Sequence, residues 1–195
     1  MEKYPKEVHL KSRETIIIRL MEKDDLDVLI DFFQALPRED RMYLRSDVKQ
    51  KENVIKRFGT LDPNIRFPLL AFHEDQLIAI GSLYRAEFGW TRHLGEIRIV
   101  VAPKFQRKGV STILVKELFF YAISTDLYKL QAEIMENQTS AISAFEHMGF
   151  KKEAILHKHV TDINGDRQNL VIMSLDIKEL WYLMEDFIHD KMYVT

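Results

Sequence analysis

No cysteine occurs in this chain, which excludes disulfides, thiolate nucleophiles and cysteine-ligated zinc or iron–sulfur centres. Proline and glycine are scarce, five and seven in 195 residues, and no stretch reads as a linker, an internal repeat or a low-complexity tract. No run approaches the ~20 apolar residues of a membrane span. From Met1 to Arg19 charges recur too often to leave the apolar stretch of a signal peptide. These absences lead to the expectation of a cytoplasmic protein with no membrane partner. Neither sign of charge dominates: Lys+Arg number 28 against Asp+Glu 30, a formal net charge of −2. A general nucleic-acid binder would carry a basic excess, so nucleic acid is not expected as a partner. What is present is an ordinary globular composition, 46% apolar and 30% charged, in a length that suits one domain over 1–195. Its core is expected over about 16–175, with a C-terminal helix over 176–192.

The apolar pattern switches period along the chain. Thr15 to Leu20 is short and β-branched and reads as a strand. Asp24 then opens a helix with Leu26, Leu29, Ile30 and Phe33 on one face, ending before Pro37. Arg38 to Leu44 and Val48 to Phe58 read as two shorter helices, the second closed by Gly59. Phe67 to His73 and Leu77 to Tyr84 form a hairpin about Glu74-Asp75-Gln76, and Glu96 to Val101 is a further strand. A helix follows Gly109, with Val110, Ile113, Leu114, Leu118 and Tyr121 on one face. Tyr128 to Met135 is a strand, and Thr139 to Met148 a helix stopped by Gly149. Phe150 to Val160 and Gln168 to Leu175 make a hairpin whose turn contains Asn164-Gly165. Ile177, Leu180, Trp181, Met184 and Ile188 line a last helix, expected to pack on the sheet edge or form a homodimer contact. The layout is mixed α/β, the helices after Gly109 and Gln138 covering the sheet.

The stretch from Glu96 through Val101, Ala102-Pro103-Lys104-Phe105 and Gln106-Arg107-Lys108-Gly109-Val110-Ser111 is a strand, a cation-bearing loop, a glycine and a helix start. Unpaired N–H groups and the helix dipole make such a joint an anion site, and Gly109 removes the Cβ that would stand in a phosphate's way. Lys104, Arg107 and Lys108 supply flanking positive charge. A plain strand–loop–helix joint with solvated cations fits the same residues.

Gln106-Arg107-Lys108-Gly109-Val110-Ser111 resembles the (Gln/Arg)-x-x-Gly-x-(Gly/Ala) motif of the GNAT acyltransferase superfamily, and Val100-Val101-Ala102-Pro103 its strand-to-loop lead-in. Downstream, Ala141-Ile142, Phe145-Glu146 and Met148-Gly149-Phe150 resemble that family's Ala-Ile-x-x-Tyr-x-x-x-Gly-Phe helix. The opening Arg19 to Asp25 is similar to the family's strand and Asp-rich helix start, and Phe32 to Arg45 resembles the acetyltransferase domain of bacterial protein-lysine acetylases. The resemblance implies the GNAT fold: a mixed central sheet that splays at the cofactor cleft, with helices on both faces. It implies an acetyl-CoA co-substrate, its pyrophosphate on the Gln106–Ser111 loop and its pantetheine beside Ile99, Val100 and Val101, wedged where that strand splays from the strand around Glu133. Backbone hydrogen bonds would come from Val100 and Val101. Asn137, Gln138 and Phe145 complete the implied cofactor wall. The reaction implied is acetyl transfer to a primary amine of a small molecule or protein.

Two positions depart from the family pattern. Phe145 stands where the family's tyrosine donates a proton to the leaving thiolate, and Gln138, with Asn137 one residue early, stands at its asparagine. Amine attack requires a neutral amine, which at pKa ~10.4 is only about one molecule in 2,500 at pH 7. A carboxylate base is therefore sought. By resemblance Glu96 comes first and Glu133 second; the plainer readings are Glu96 paired with Arg98 or Arg92 and Glu133 facing solvent. His157 and His159 alternate on one strand, but with no third ligand evident no metal is expected. Arg38, Arg41 and Arg45 recur at helical spacing and read as a solvated basic stripe. Trp90-Thr91-Arg92-His93 reads either as an acceptor-side loop or as an ordinary exposed one. A non-catalytic acyl-CoA-binding regulator is the alternative from another functional class.

Overall fold

The structure, a computed structural model, describes residues 4–62 and 64–179. Among the described residues eight strands form one sheet: β1 (Lys6–His9), β2 (Thr15–Leu20), β3 (Arg66–His73), β4 (Gln76–Arg85), β5 (Leu94–Val101), β6 (Lys129–Met135), β7 (Lys151–Thr161) and β8 (Arg167–Asp176). Their order is β1-β2-β3-β4-β5-β6-β8-β7. All neighbours are antiparallel except β5 and β6, which run parallel. The helices are α1 (Leu26–Ala35), α2 (Arg38–Arg41), α3 (Lys51–Phe58), α4 (Val110–Ile123) and α5 (Thr139–His147). No helix among the described residues is long and apolar enough to cross a membrane.

Strand alternation sorts the side chains into two cores. Leu70, Leu77 and Ile80 meet Leu29, Ile30, Phe33, Val54 and Phe58 of α1 and α3 on one face. Ile16, Ile18, Leu69, Leu83, Ile97, Leu130, Ala132 and Met173 meet α4 and α5 on the other. Helices thus cover both faces, as the layered α/β pattern requires. α4 seats closely because Gly81 opposes it: a Cβ there would lie 3.0 Å from Ile99 Cδ1 and 3.2 Å from Leu114 Cβ. Buried Glu117 of α4 accepts the Lys6 ammonium at 2.7 Å and the Tyr4 hydroxyl at 3.2 Å, which ties β1 to the sheet's covering helix.

Several expectations are corrected. β1 was not anticipated: Lys-Glu-Val-His has no apolar run, and its place comes from pairing with β2. α2 ends at Arg41 rather than Leu44, and α3 begins at Lys51 rather than Val48. Gly59 closes α3 in the right-handed region, φ −68°. In the β7–β8 turn only Gly165 is left-handed, at φ 90°; the Asp162 carboxylate shapes the rest by accepting the N–H groups of Asn164 and Asp166 and the Gln168 amide. The helix read over 176–192 is described only as far as Glu179. Leu180, Trp181, Met184 and the homodimer contact ascribed to them lie outside the described residues.

Candidate active site

β5 and β6 pair through only three positions, Leu94–Lys129, Gly95–Leu130 and Glu96–Gln131. Beyond them β5 stays bonded to β4 as far as Val101, and β6 to β8 as far as Met135. The two strands therefore part, and a cleft of about 210 Å³ opens between them. Hydrogen-bond parity decides what β5 offers to it. Ala102 N–H donates to the Ile78 carbonyl at 2.8 Å, so in an antiparallel ladder Val100 and Arg98 also turn their backbone toward β4. Ile99 and Val101 turn theirs into the cleft; the Val101 carbonyl there accepts the Gln106 side-chain amide at 3.2 Å. Ile99 is thus the partner of Val101, while Val100 lines the cleft with its side chain.

At the end of β5 the chain makes a short 3-10 turn over Pro103–Phe105 and enters α4. Arg107 and Gly109 hold positive φ, 60° and 88°. The first helical bond runs from Ile113 N–H to the Gly109 carbonyl at 3.1 Å. Among the described residues no backbone acceptor or side-chain cap takes the N–H groups of Val110, Ser111 and Thr112. A Cβ on Gly109 would meet nothing within 4 Å, so the approach to these donors is open. Lys108 differs from expectation. Its ammonium binds the Glu14 carboxylate and lies 4.9 Å from the Phe105 ring centroid, so its charge is already matched. That contact, with Ser12, pulls the Glu14 pKa down to about 2. Lys104 and Arg107 are exposed and have no carboxylate partner among the described residues. Gln106 also donates to Asp40 at 3.1 Å, joining the loop to the α2 segment across the cleft mouth.

At the other end of the cleft Glu96 of β5 and Glu133 of β6 lie on the same sheet face, from opposite walls. Their side chains are 15% and 21% exposed, so Glu133 is not simply solvated. Glu96 accepts Arg98 Nε at 2.7 Å and Arg45 Nη2 at 3.0 Å. The same Arg45 nitrogen binds Glu133, which also accepts the Gln131 amide at 3.3 Å. Arg45 does not belong to a solvated helical stripe: α2 ends four residues earlier, and the following segment carries its guanidinium between the two carboxylates. Arg57 of α3 lines the same cleft, half-buried, its pKa pushed down to about 10 by burial first and then by the positive Arg98 and Arg66. Arg66 is lowered by burial and by Arg98, and lies over the rings of Phe58 and Tyr84, 5.3 and 5.7 Å from their centroids. The separation of these arginines along the chain hid this cluster from sequence reading.

α5 carries the remaining candidates. Gln138, its N-cap residue, lines the cleft, whereas Asn137 is exposed and outside the lining. Gly149 takes φ 91°, Phe150 N–H donates to the Phe145 carbonyl at 3.0 Å, and Gly149 N–H to Glu146 at 3.0 Å. This is a Schellman close with its usual apolar contact, the Phe145 and Phe150 rings meeting edge to face at 4.9 Å. Phe145 is 8% exposed and lines the cleft wall. Tyr121 stacks on Phe67 in the core, away from the cleft lining. Trp90 is 89% exposed. His157 and His159 do not share a face cleanly, because β7 is irregular between Leu156 and Val160 and Lys158 has φ 50°. Among the described residues no group of three His, Asp or Glu side chains is placed to hold a metal.

Comparison with known proteins agrees with this geometry. The model of the Acetyltransferase (GNAT) family matches residues 28–150. The spermidine N(1)-acetyltransferase of Escherichia coli K12 is 28% identical over 96 residues, 49% of this chain and 51% of that protein. The chain thus spans about half the length of the curated relatives it matches. In fold it is similar to the GNAT domain of S. lividans PAT, with TM-score 0.75 and 20% identity over 89% of this chain and 99% of that one. It is likewise similar to a spermidine N-acetyltransferase from Vibrio cholerae solved with CoA and spermine, with TM-score 0.67 and 20% identity over 84% and 96%.

Proposed function

The chain belongs to the GNAT acetyltransferase family, and from that premise we propose that residues 1–195 act as an acetyl-CoA-dependent N-acetyltransferase whose acceptor is a primary amine. The observation that carries this reading is the parting of β5 from β6, with the inward backbone of Ile99 and Val101 leading to the open N–H groups behind Gly109. An extended amide chain fits beside such a strand edge, and a pyrophosphate fits an uncapped helix start. The residues present therefore suit the family's co-substrate. Gln106 would exchange its bond to Val101 for the incoming chain.

When bound, acetyl-CoA supplies a thioester whose C–S bond breaks as the amine nitrogen forms a C–N bond to the acetyl carbon. The cleft-facing N–H groups of β5 polarise that carbonyl. Glu96, with Glu133 opposite, takes the proton the amine must lose, directly or through water. Arg45 sits between these carboxylates, where the acceptor's ammonium would bind, and it would have to withdraw as the acceptor enters. With Phe145 in the tyrosine's place, bulk water would have to protonate the departing thiolate. Its pKa of ~8.5 makes that a modest demand. Phe145 also favours a second reading, an acyl-CoA-binding regulator without turnover.

The test replaces Glu96 and Glu133 by Gln, singly and together, and follows thiol release. kcat should fall about 10²-fold or more for the more important residue, with less change in KM, and recover as pH approaches the amine's own pKa. Wild-type rates in all three variants at neutral pH would remove the glutamate base. Tight acetyl-CoA binding with no transfer to any amine would favour the regulator.

A further inference from the structure

The acceptor end of the cleft and the ground beside it hold more positive charge than its own carboxylates match: Arg45, Arg57 and Arg98 line the cleft, and Arg66 stands next to it over Phe58 and Tyr84, outside the lining. Arg98 and Arg45 are engaged by Glu96 and Glu133. Arg57 and Arg66 are not: among the described residues neither guanidinium has a carboxylate or hydrogen-bond acceptor, and both lie against the Phe58 ring, at 5.5 and 5.3 Å. Each guanidinium offers five N–H donors in a planar fork suited to a carboxylate or phosphate. Burial, then repulsion from Arg98 on both and from Arg66 on Arg57, weakens their hold on protons despite the pull of Glu96 on Arg57, a state that a bound anion would relieve.

Their place relative to the carboxylates is set by the sheet. Arg66, Tyr84, Glu96 and Gln131 are opposite one another on four successive strands and share a face. Arg66 and Glu96 are thus two strand spacings apart, roughly 10 Å between Cα atoms, and α3 lowers Arg57 toward the same row. The pyrophosphate site lies past the far end of β5, at Gly109, so these arginines are not needed there.

We propose that the acceptor is an amine bearing an anionic group a few bonds away, a carboxylate or a phosphate, with the amine at Glu96 and Glu133 and the anion on Arg57 and Arg66. This rests on the acetyltransferase reading. A polyamine of the kind named in the curated relatives would bring its second ammonium against two unmatched guanidiniums, and is disfavoured.

The test uses matched acceptors: 4-aminobutyrate against 4-aminobutanamide, 2-aminoethyl phosphate against 2-aminoethanol, and spermidine. Binding to the CoA-loaded protein is measured by calorimetry, and transfer by thiol release. The anionic member of a pair should bind and react about ten- to a hundredfold better than its neutral partner, and the two pairs separate carboxylate from phosphate. Arg57→Gln should cut that ratio to about threefold or less while acetyl-CoA affinity stays within about twofold. Arg66→Gln serves as the independent second variant if the first does not fold. Equal treatment of the pairs, a preference for spermidine, or an anion preference that survives both variants overturns the proposal. Transfer to neutral amines or spermidine with no anion preference would leave the transferase reading standing. Anion-dependent binding without any transfer would do the reverse.

Discussion

Gly109 offers a sharp test because two costs of replacing it can be separated. It holds φ 88°, ψ 0°, and a Cβ there would touch nothing within 4 Å. Gly109→Ala therefore meets no clash within the protein; its only folding cost is the left-handed backbone, about 1–2 kcal/mol. For a chain of this size that lowers Tm by about 2–8 °C. The added methyl stands instead in the path by which a phosphate reaches the N–H groups of Val110, Ser111 and Thr112. Losing or lengthening one charge-assisted bond, about 1.5–3 kcal/mol, raises the acetyl-CoA Kd about ten- to a hundredfold. Gly165 supplies the control: it has φ 90°, open space around its missing Cβ, and a place in the distant β7–β8 turn. Gly165→Ala should show the same fall in Tm with the Kd unchanged. Calorimetry with acetyl-CoA and thermal melts on both variants read the two costs independently. If Gly109→Ala melts early yet binds acetyl-CoA as wild type does, the pyrophosphate does not sit on this helix start.

Phe145→Tyr should quicken single-turnover acetyl transfer severalfold, toward the low end of general-acid effects, with Tm within about 2 °C, because Phe145 lines the cleft. A slower variant destabilised by about 1–3 kcal/mol would mean that the new hydroxyl is trapped unpaired against Phe150. Asp25 is 7% exposed and receives both Arg19 Nη groups at 2.6 Å, a contact that holds its pKa below the ordinary carboxylate range. Its folded pKa being lowered, the stabilisation is complete above the unfolded pKa near ~3.9 and is lost as pH falls through the folded value. Asp25→Asn should cost about 1–3 kcal/mol at pH 7, less than a fully buried pair because Arg19 is 30% exposed. In urea titrations the difference from wild type should shrink as pH falls below about 4; a difference constant down to pH 2 would refute the pairing.

Local features were legible in the sequence and long-range ones were not. The helix start at Gly109 and the close of α5 at Gly149 each lie within a few residues, so residue type and spacing expose them. Strands β2 to β5 and β8 announce themselves by β-branched or apolar runs, β6 by alternation, and β7 only through Ala154-Ile155-Leu156 and the turn that follows it. β1 does not, since Lys6 and Glu7 leave no such run and its partner is chosen in three dimensions. Whether Val100 or Ile99 faces the cleft depends on register parity against β4, which is fixed by the Ala102–Ile78 bond and cannot be read from the valines themselves. Arg45 followed the spacing of Arg38 and Arg41 but lies beyond the helix those two bound, and the spacing lost its meaning there. Arg57, Arg66 and Arg98 come from a helix and two strands. Only folding gives them a common electrostatic environment.

The parity of β5 has a bearing on how such a protein changes over generations. In the proposed reading the acyl donor is met largely by peptide groups of β5 and the start of α4, and a peptide group keeps its N–H and C=O whatever side chain it bears. Drift at Ile99, Val101 or Ser111 can proceed among residues of tolerable shape without altering what is offered to the thioester. The acceptor half is defined by the ends of long side chains, several of them carried on the segment from Arg38 to Phe58 rather than on the sheet. There one codon change moves or removes a charge outright. On that reading a lineage could trade one acceptor for another by altering a few side chains, while the machinery for the acyl donor passes on intact.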